Sequence, residues 1–361
     1  MAPTPILFLD GGLGTSLEDQ YGFQFSEATP LWSSDLLLSD QDTLKSCQRD
    51  FAQVPVDILL TATYQVSVEG FRRTQTESFP DGVARSEIPS FLDNAVSIVE
   101  QIKRPATKIG LSLGPYGAVM TPSQEYSARY DDDHNSADKL LRWHADRVSL
   151  FADVPRLDMR VDFIAFETVP RLDEIMAIRK LTALAASQSA DAAVPSSLRQ
   201  TPYWVSCVFP IGHTLPDGSC VDQVIRALLS LEYSDNPPWG IGINCTKIAK
   251  LPHLVKAYGD SVRLLEAEGH LLSWPSLLLY PDGTNGEVYD TVTKTWRPPT
   301  GQKAATEASW EQQLADIVAQ EQRRGCWRTI VVGGCCKATH ENISRLRSLH
   351  GSAAPETKLV S

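Results

Sequence analysis

Short apolar runs alternate with amphipathic segments along the whole chain. The runs are Ile6–Leu9, Asp57–Thr63, Lys108–Leu113, Asp162–Phe166, Tyr203–Phe209, Gly240–Asn244, Ser276–Tyr280 and Thr329–Val332, each ending in polar or glycine-rich sequence. They show little polar alternation, the pattern of strands buried on both faces of a parallel sheet. Between them, Leu44–Gln53, Ser90–Ile102, Ala137–Phe151, Leu172–Ala186, Val221–Leu231, Leu254–Glu268, Trp310–Arg323 and Glu341–Leu349 read as helices with one buried face. Pro170 and early acidic residues mark the start of the fourth, as the helix dipole favours. Strict strand–helix alternation predicts an α/β fold, a (β/α)8 TIM barrel in which residues 1–361 form a single domain. A doubly wound sheet is the alternative, usually with fewer strands.

Two stretches interrupt the beat. Met120–Asn135 is a long polar, tyrosine-containing loop after the third strand, a candidate lid. Residues 187–202 are low in complexity and fall between the fourth helix and fifth strand. They read as a flexible surface insertion on the face opposite the chemistry.

Hydrophobic content of 42% and charged content of 21% are those of a globular chain. A formal charge of −11 argues against nucleic acid or an anionic membrane as partner. The N-terminal M-A-P-T-P-I-L-F-L-D lacks the basic start of a signal peptide, and no stretch approaches the roughly 18 apolar residues of a span. A cytoplasmic location is expected. There, seven cysteines in a chain of 361 residues do not form a disulfide framework.

Placement separates those cysteines. Cys245 ends G-I-G-I-N-C-T-K, and Cys335 and Cys336 follow the strand and two glycines of T-I-V-V-G-G-C-C. Three thiols at two strand ends suggest one soft-metal site, where zinc would keep three protein ligands and one open position. The alternatives are buried core cysteines or a vicinal Cys335–Cys336 disulfide. Three thiolates around Zn2+ leave a formal charge of −1, so a fourth sulfur bound there stays electron-rich. Such a centre suits alkyl transfer to sulfur better than hydrolysis.

Asp10 ends the first strand in L-D-G-G-L-G-T, and Glu167 the fourth in A-F-E-T-V-P. In a barrel both face the mouth that holds the cysteines, where two carboxylates suit an amino acid's ammonium group. The amides of Gly11 and Gly12 would then lie near its carboxylate. For Glu167 the competing role is an acid at a helix N-terminus. Glycines at 11, 12 and 14 miss the G-x-G-x-x-G spacing of dinucleotide sites.

The series L-D-G-G-L-G-T-S-L-E, D-I-L-L-T-A-T-Y-Q, L-G-P-Y-G-A, F-E-T-V-P, G-I-N-C-T and V-G-G-C-C, in that order from about residue 6 to 350, resembles the homocysteine S-methyltransferase family. The segment from Leu279 to Thr300 is similar to its fungal and yeast-type members. The resemblance implies a (β/α)8 fold, Zn2+ held by Cys245, Cys335 and Cys336, and homocysteine anchored through Asp10 and Glu167, with Trp32 on the substrate side. It implies small-molecule partners, homocysteine and a sulfonium donor (S-methylmethionine or S-adenosylmethionine). Thr168 stands where the betaine-using branch carries tyrosine. The third-strand loop reads S-Q-E-Y-S-A-R-Y instead of the family's usual E-Y-T-G-D-Y, which leaves the donor open. Another small thiol or selenol is the nearest alternative acceptor. Rivals of other classes are a barrel glycoside hydrolase using Glu167 and Asp282, and a non-catalytic metal or redox protein built on the cysteine pair.

Overall fold

The computed structural model describes residues 3–26, 29–187, 195, 198–284, 287–290, 295–297 and 308–350. Eight parallel strands form its centre: β1 Ile6–Phe8, β2 Ile58–Leu60, β3 Lys108–Leu113, β4 Phe163–Val169, β5 Tyr203–Cys207, β6 Gly240–Lys247, β7 Ser276–Asp282 and β8 Ile330–Val332. They pair in the order β1-β8-β7-β6-β5-β4-β3-β2. A parallel bridge from Leu9 to Ile58 brings β2 back against β1. This is the (β/α)8 barrel expected from the alternation.

The outer ring comprises α1 Gln41–Gln53, α2 Ile88–Ile102, α3 Ala137–Ser149, α4 Leu172–Ala186, α5 Val221–Leu229, α6 Leu251–Ala267, α7 Trp310–Arg324 and α8 His340–Leu349. Shorter helices, including Leu13–Tyr21 and Tyr116–Val119, decorate the loops that follow the strands. A hairpin of Val288–Asp290 with Thr295–Arg297 follows β7. The expected insertion at 187–202 lies largely outside the described residues. No described helix is long and apolar enough to cross a membrane.

Strand alternation divides the core in two. Leu9, Ile58, Phe163, Ala165, Trp204, Leu278, Tyr280 and Val331 fill the barrel interior. The intervening residues, such as Phe8, Ile164, Phe166, Ile243 and Val332, pack outward against the helices. That period of two holds until the strands reach the mouth, where two of them break it. The register of β4 shifts between Phe166 and Val169, and that of β6 between Asn244 and Lys247. Both strands therefore run further than the apolar pattern predicts. Glu167 belongs to β4 itself, which corrects its alternative role as an acid opening a helix.

Candidate metal and substrate site

The mouth is assembled from irregular backbone. Thr168 (φ 58°) and Cys245 (φ 46°) occupy the left-handed region that non-glycine residues avoid, one in each bulge. Alternation along β6 assigns the inside position to Asn244 and would turn Cys245 outward. The bulge brings both to the cavity wall. Asn244, almost fully buried, locks the two bulges together. Its Oδ1 accepts the Thr168 amide at 2.8 Å, and its Nδ2 donates to the Thr168 hydroxyl at 2.7 Å.

The turn after β8 is stitched to its neighbours by backbone bonds. The Gly333 amide donates to the Leu279 carbonyl, Gly334 to Asp10, and Cys335 to Pro281. A Cβ on Gly333 would meet the Asp10 carbonyl oxygen at 2.7 Å, and one on Gly334 the Ala338 Cβ at 2.2 Å. Only glycine lets the chain approach β1 so closely. The result brings Cys245, Cys335 and Cys336 together, their Sγ atoms all within 4.8 Å of one another. Cys245 and Cys335 are joined as a disulfide, and Cys336 is free. The vicinal Cys335–Cys336 pairing weighed from sequence is therefore replaced by one across two strand ends. Burial, with the charges of Asp282 and Glu125, pushes the Cys336 thiol up to about 12. In their reduced form the three sulfurs are a soft, closely grouped donor set that fits zinc. As a disulfide, two of them cannot serve as thiolate ligands.

Asp10 and Glu167 are 8% and 5% exposed. One Asp10 oxygen accepts the Leu60 amide at 2.8 Å, while Oδ1 is buried with no hydrogen-bond partner among the described residues. Glu167 accepts the Ser112 hydroxyl at 2.5 Å and also contacts the Tyr280 hydroxyl. Burial, opposed by the Leu60 amide and reinforced by Glu167, raises the Asp10 carboxyl to about 8. Burial likewise raises Glu167 to about 7. Two desolvated carboxylates with an orphaned oxygen are acceptors suited to a cationic group.

Trp32 also lines the cavity, with its backbone left-handed (φ 47°) and its indole Nε1 buried without a partner among the described residues. Its ring fills the space a Cβ on Gly14 would need, at 2.3 Å. Gly11 and Gly12 line the wall too, but the Gly12 amide donates to the Ala338 carbonyl at 2.9 Å. The Gly12 amide is therefore committed to holding the cysteine turn. Asp282 pairs with Lys247 at 3.2 Å and does not line the cavity, so the hydrolase alternative lacks its second carboxylate there.

The cavity measures about 190 Å3. Its remaining wall comes from the loop after β3, which bends across the mouth. Glu174 on α4 holds that loop: it accepts the Tyr116 amide at 2.7 Å, the Tyr130 hydroxyl at 2.6 Å and the buried His144 Nε2 at 2.9 Å. Burial depresses the His144 imidazole despite this carboxylate, so it stays neutral and donates through Nε2. Arg147 on α3, fully buried, donates to the carbonyls of Thr63, Tyr64 and Gly114 and fixes the ends of β2 and β3. Sequence reasoning did not single out Asn244, Ser112, Tyr280, Glu174 or Arg147. Ser112, Asn244 and Tyr280 are polar groups set in apolar runs, which was the available signal for those three.

A sequence model described as homocysteine S-methyltransferase matches residues 7–349. A homocysteine S-methyltransferase of Bacillus subtilis is 25% identical over 356 residues, covering 95% of this chain and 93% of the relative. The Escherichia coli homocysteine S-methyltransferase is 27% identical over 356 residues, covering 95% and 94%. The crystal structure of the metallated Escherichia coli homocysteine methyltransferase superposes with a TM-score of 0.62 at 23% identity, over 95% of this chain and 96% of that one. That superposition shows a common fold.

Proposed function

Because this chain belongs to the homocysteine S-methyltransferase family, we propose that it moves a methyl group from a sulfonium donor to the sulfur of L-homocysteine, giving methionine. S-methylmethionine and S-adenosylmethionine are the candidate donors. The observation that carries this reading is the convergence of three sulfurs within 4.8 Å beside two buried carboxylates. In their reduced form Cys245, Cys335 and Cys336 would hold Zn2+. When bound, the ion lowers the pKa of a substrate thiol so that it reacts as a thiolate at neutral pH.

The chain's own residues bind and align. Asp10 and Glu167 take the homocysteine ammonium, whose charge offsets the cost of burying two carboxylates together. Ser112 and Tyr280 fix the Glu167 carboxylate, so the ammonium has a defined position. The aromatic wall excludes water and holds the two sulfurs in line, which lowers the barrier through proximity. The acceptor sulfur bonds to the methyl carbon as the donor's carbon–sulfur bond breaks. The bonding pair leaves with the donor sulfur as a neutral thioether, and the acceptor's thiol proton passes to solvent.

The test is zinc content by elemental analysis on reduced protein, paired with methionine formation from homocysteine and each sulfonium donor. About one zinc per chain with donor-dependent methionine is expected. Turnover that persists in metal-free protein overturns the mechanism. Bound zinc without methionine overturns the choice of substrates.

A further inference from the structure

Homocysteine brings one ammonium, and Asp10 with Glu167 is matched to it. A third carboxylate in the same cavity is left over. Glu125 lies in the loop after β3, is only 7% exposed, and lines the cavity wall. Its Oε2 is buried with no hydrogen-bond partner among the described residues. The Ser123 hydroxyl and its own amide are the groups that contact the carboxylate. Burial raises its pKa to about 7, opposed by those two contacts. Among the described residues no lysine or arginine pairs with it.

The neighbours of Glu125 are informative. Its charge acts on Cys336, Tyr64 and Tyr126. Tyr126, the next residue, contacts the Cys336 sulfur through its hydroxyl, while Tyr64 contacts Thr168. Both rings line the cavity. Asp10, by contrast, couples to Glu167. The cavity thus carries carboxylates on two parts of the fold, the Asp10–Glu167 pair on strand ends and Glu125 on the loop, and the Tyr64 and Tyr126 rings line the same wall. An unpaired buried carboxylate in a cavity lined by aromatic rings is the chemistry that holds an organic cation.

We propose that Glu125, with the rings of Tyr64 and Tyr126, is the seat of the methyl donor's positive charge and makes the enzyme select a cationic donor over a neutral one. This rests on the methyl-transfer reading above. It goes beyond it by assigning donor choice to one loop carboxylate separate from the acceptor's pair. The donor loses its sulfonium charge on transfer, so Glu125 holds the substrate more tightly than the thioether product and favours product release.

The experiment uses the zinc-loaded enzyme and Glu125→Gln. Steady-state constants are measured for both substrates. Competition is measured with a trimethylammonium analogue of the donor and with its neutral tert-butyl isostere. The unsubstituted enzyme is expected to bind the cation about 10- to 100-fold more tightly than the isostere. Glu125→Gln should bind the two alike and raise the donor KM by a similar factor, with zinc content and homocysteine KM unchanged. Glu125→Asp, which keeps the charge, should retain most of the preference. An unaltered cation preference in Glu125→Gln overturns the proposal, as does an equal loss for homocysteine and donor together with zinc. If the unsubstituted enzyme transfers no methyl group, the parent reading fails, and the paired-analogue binding still decides the role of Glu125.

Discussion

The two sides of the cavity are built differently. The side proposed for the acceptor stands on strand ends: Asp10, Glu167, Cys245 and the cysteine turn sit there, braced by backbone bonds and by Asn244. The side proposed for the donor includes the loop after β3, tied down from α4 by Glu174, while Arg147 on α3 fixes the ends of β2 and β3 beside it. Strand ends hold reacting groups to within fractions of an ångström, whereas a loop can change without disturbing the barrel. On the proposed reading, the chemistry is carried by the scaffold and the choice of partner by what is draped over it.

The separation breaks most visibly if a sulfur is removed. Cys336→Ala should lose bound zinc and lower kcat/KM on the order of 1000-fold, several kcal/mol of barrier, while the donor analogue still binds. Elemental analysis beside calorimetric binding checks both halves. A donor site that vanishes with the metal would show that the two sides are one unit. Next in size, Glu167→Gln should raise the homocysteine KM about 100-fold and leave the donor KM within a factor of three. Asn244→Ala removes the brace between the bulges and should weaken zinc affinity by about 10- to 100-fold, measured by chelator competition.

On the other side, Glu174→Ala removes three hydrogen bonds from the loop and its supports. It should raise the donor KM about tenfold, speed amide exchange across residues 116–130, and spare homocysteine binding. The smallest effect concerns pH. Glu167 titrates higher in the fold than in the unfolded chain, so its burial costs nothing below its unfolded pKa. Stability is then lost as pH rises through about 7. Ligand-free Glu167→Gln should therefore gain melting temperature relative to the unsubstituted protein between pH 5 and pH 8. A difference that is flat with pH would mean the carboxyl is not desolvated.

How much of this was legible before the structure follows the same division. Parallel strands buried on both faces are continuous apolar runs, so the beat of β1 to β8 could be read directly. The cysteines stood out because Cys245 ends such a run beside asparagine and the Cys335–Cys336 pair ends one beside glycine. The bulges could not be read. A one-residue shift in pairing at Glu167–Thr168 or Asn244–Cys245 leaves no mark in composition. The commitment of the Gly12 amide was hidden for a related reason, since its partner at Ala338 lies at the other end of the chain. Glu125 appeared only as part of a loop that departs from the family's usual wording, and its burial needed coordinates.

The bulges carry a consequence for anyone who would build such a centre anew. Copying the three cysteines and two acids onto eight regular strands would not reproduce it. On an unbroken β6 the side chain at 245 would point into the helical layer, and its sulfur would be walled off from its two partners. The left-handed residue and the asparagine that pins it are thus part of the blueprint as much as any ligand. A designer would have to specify an error in the pleat before specifying a single thiol.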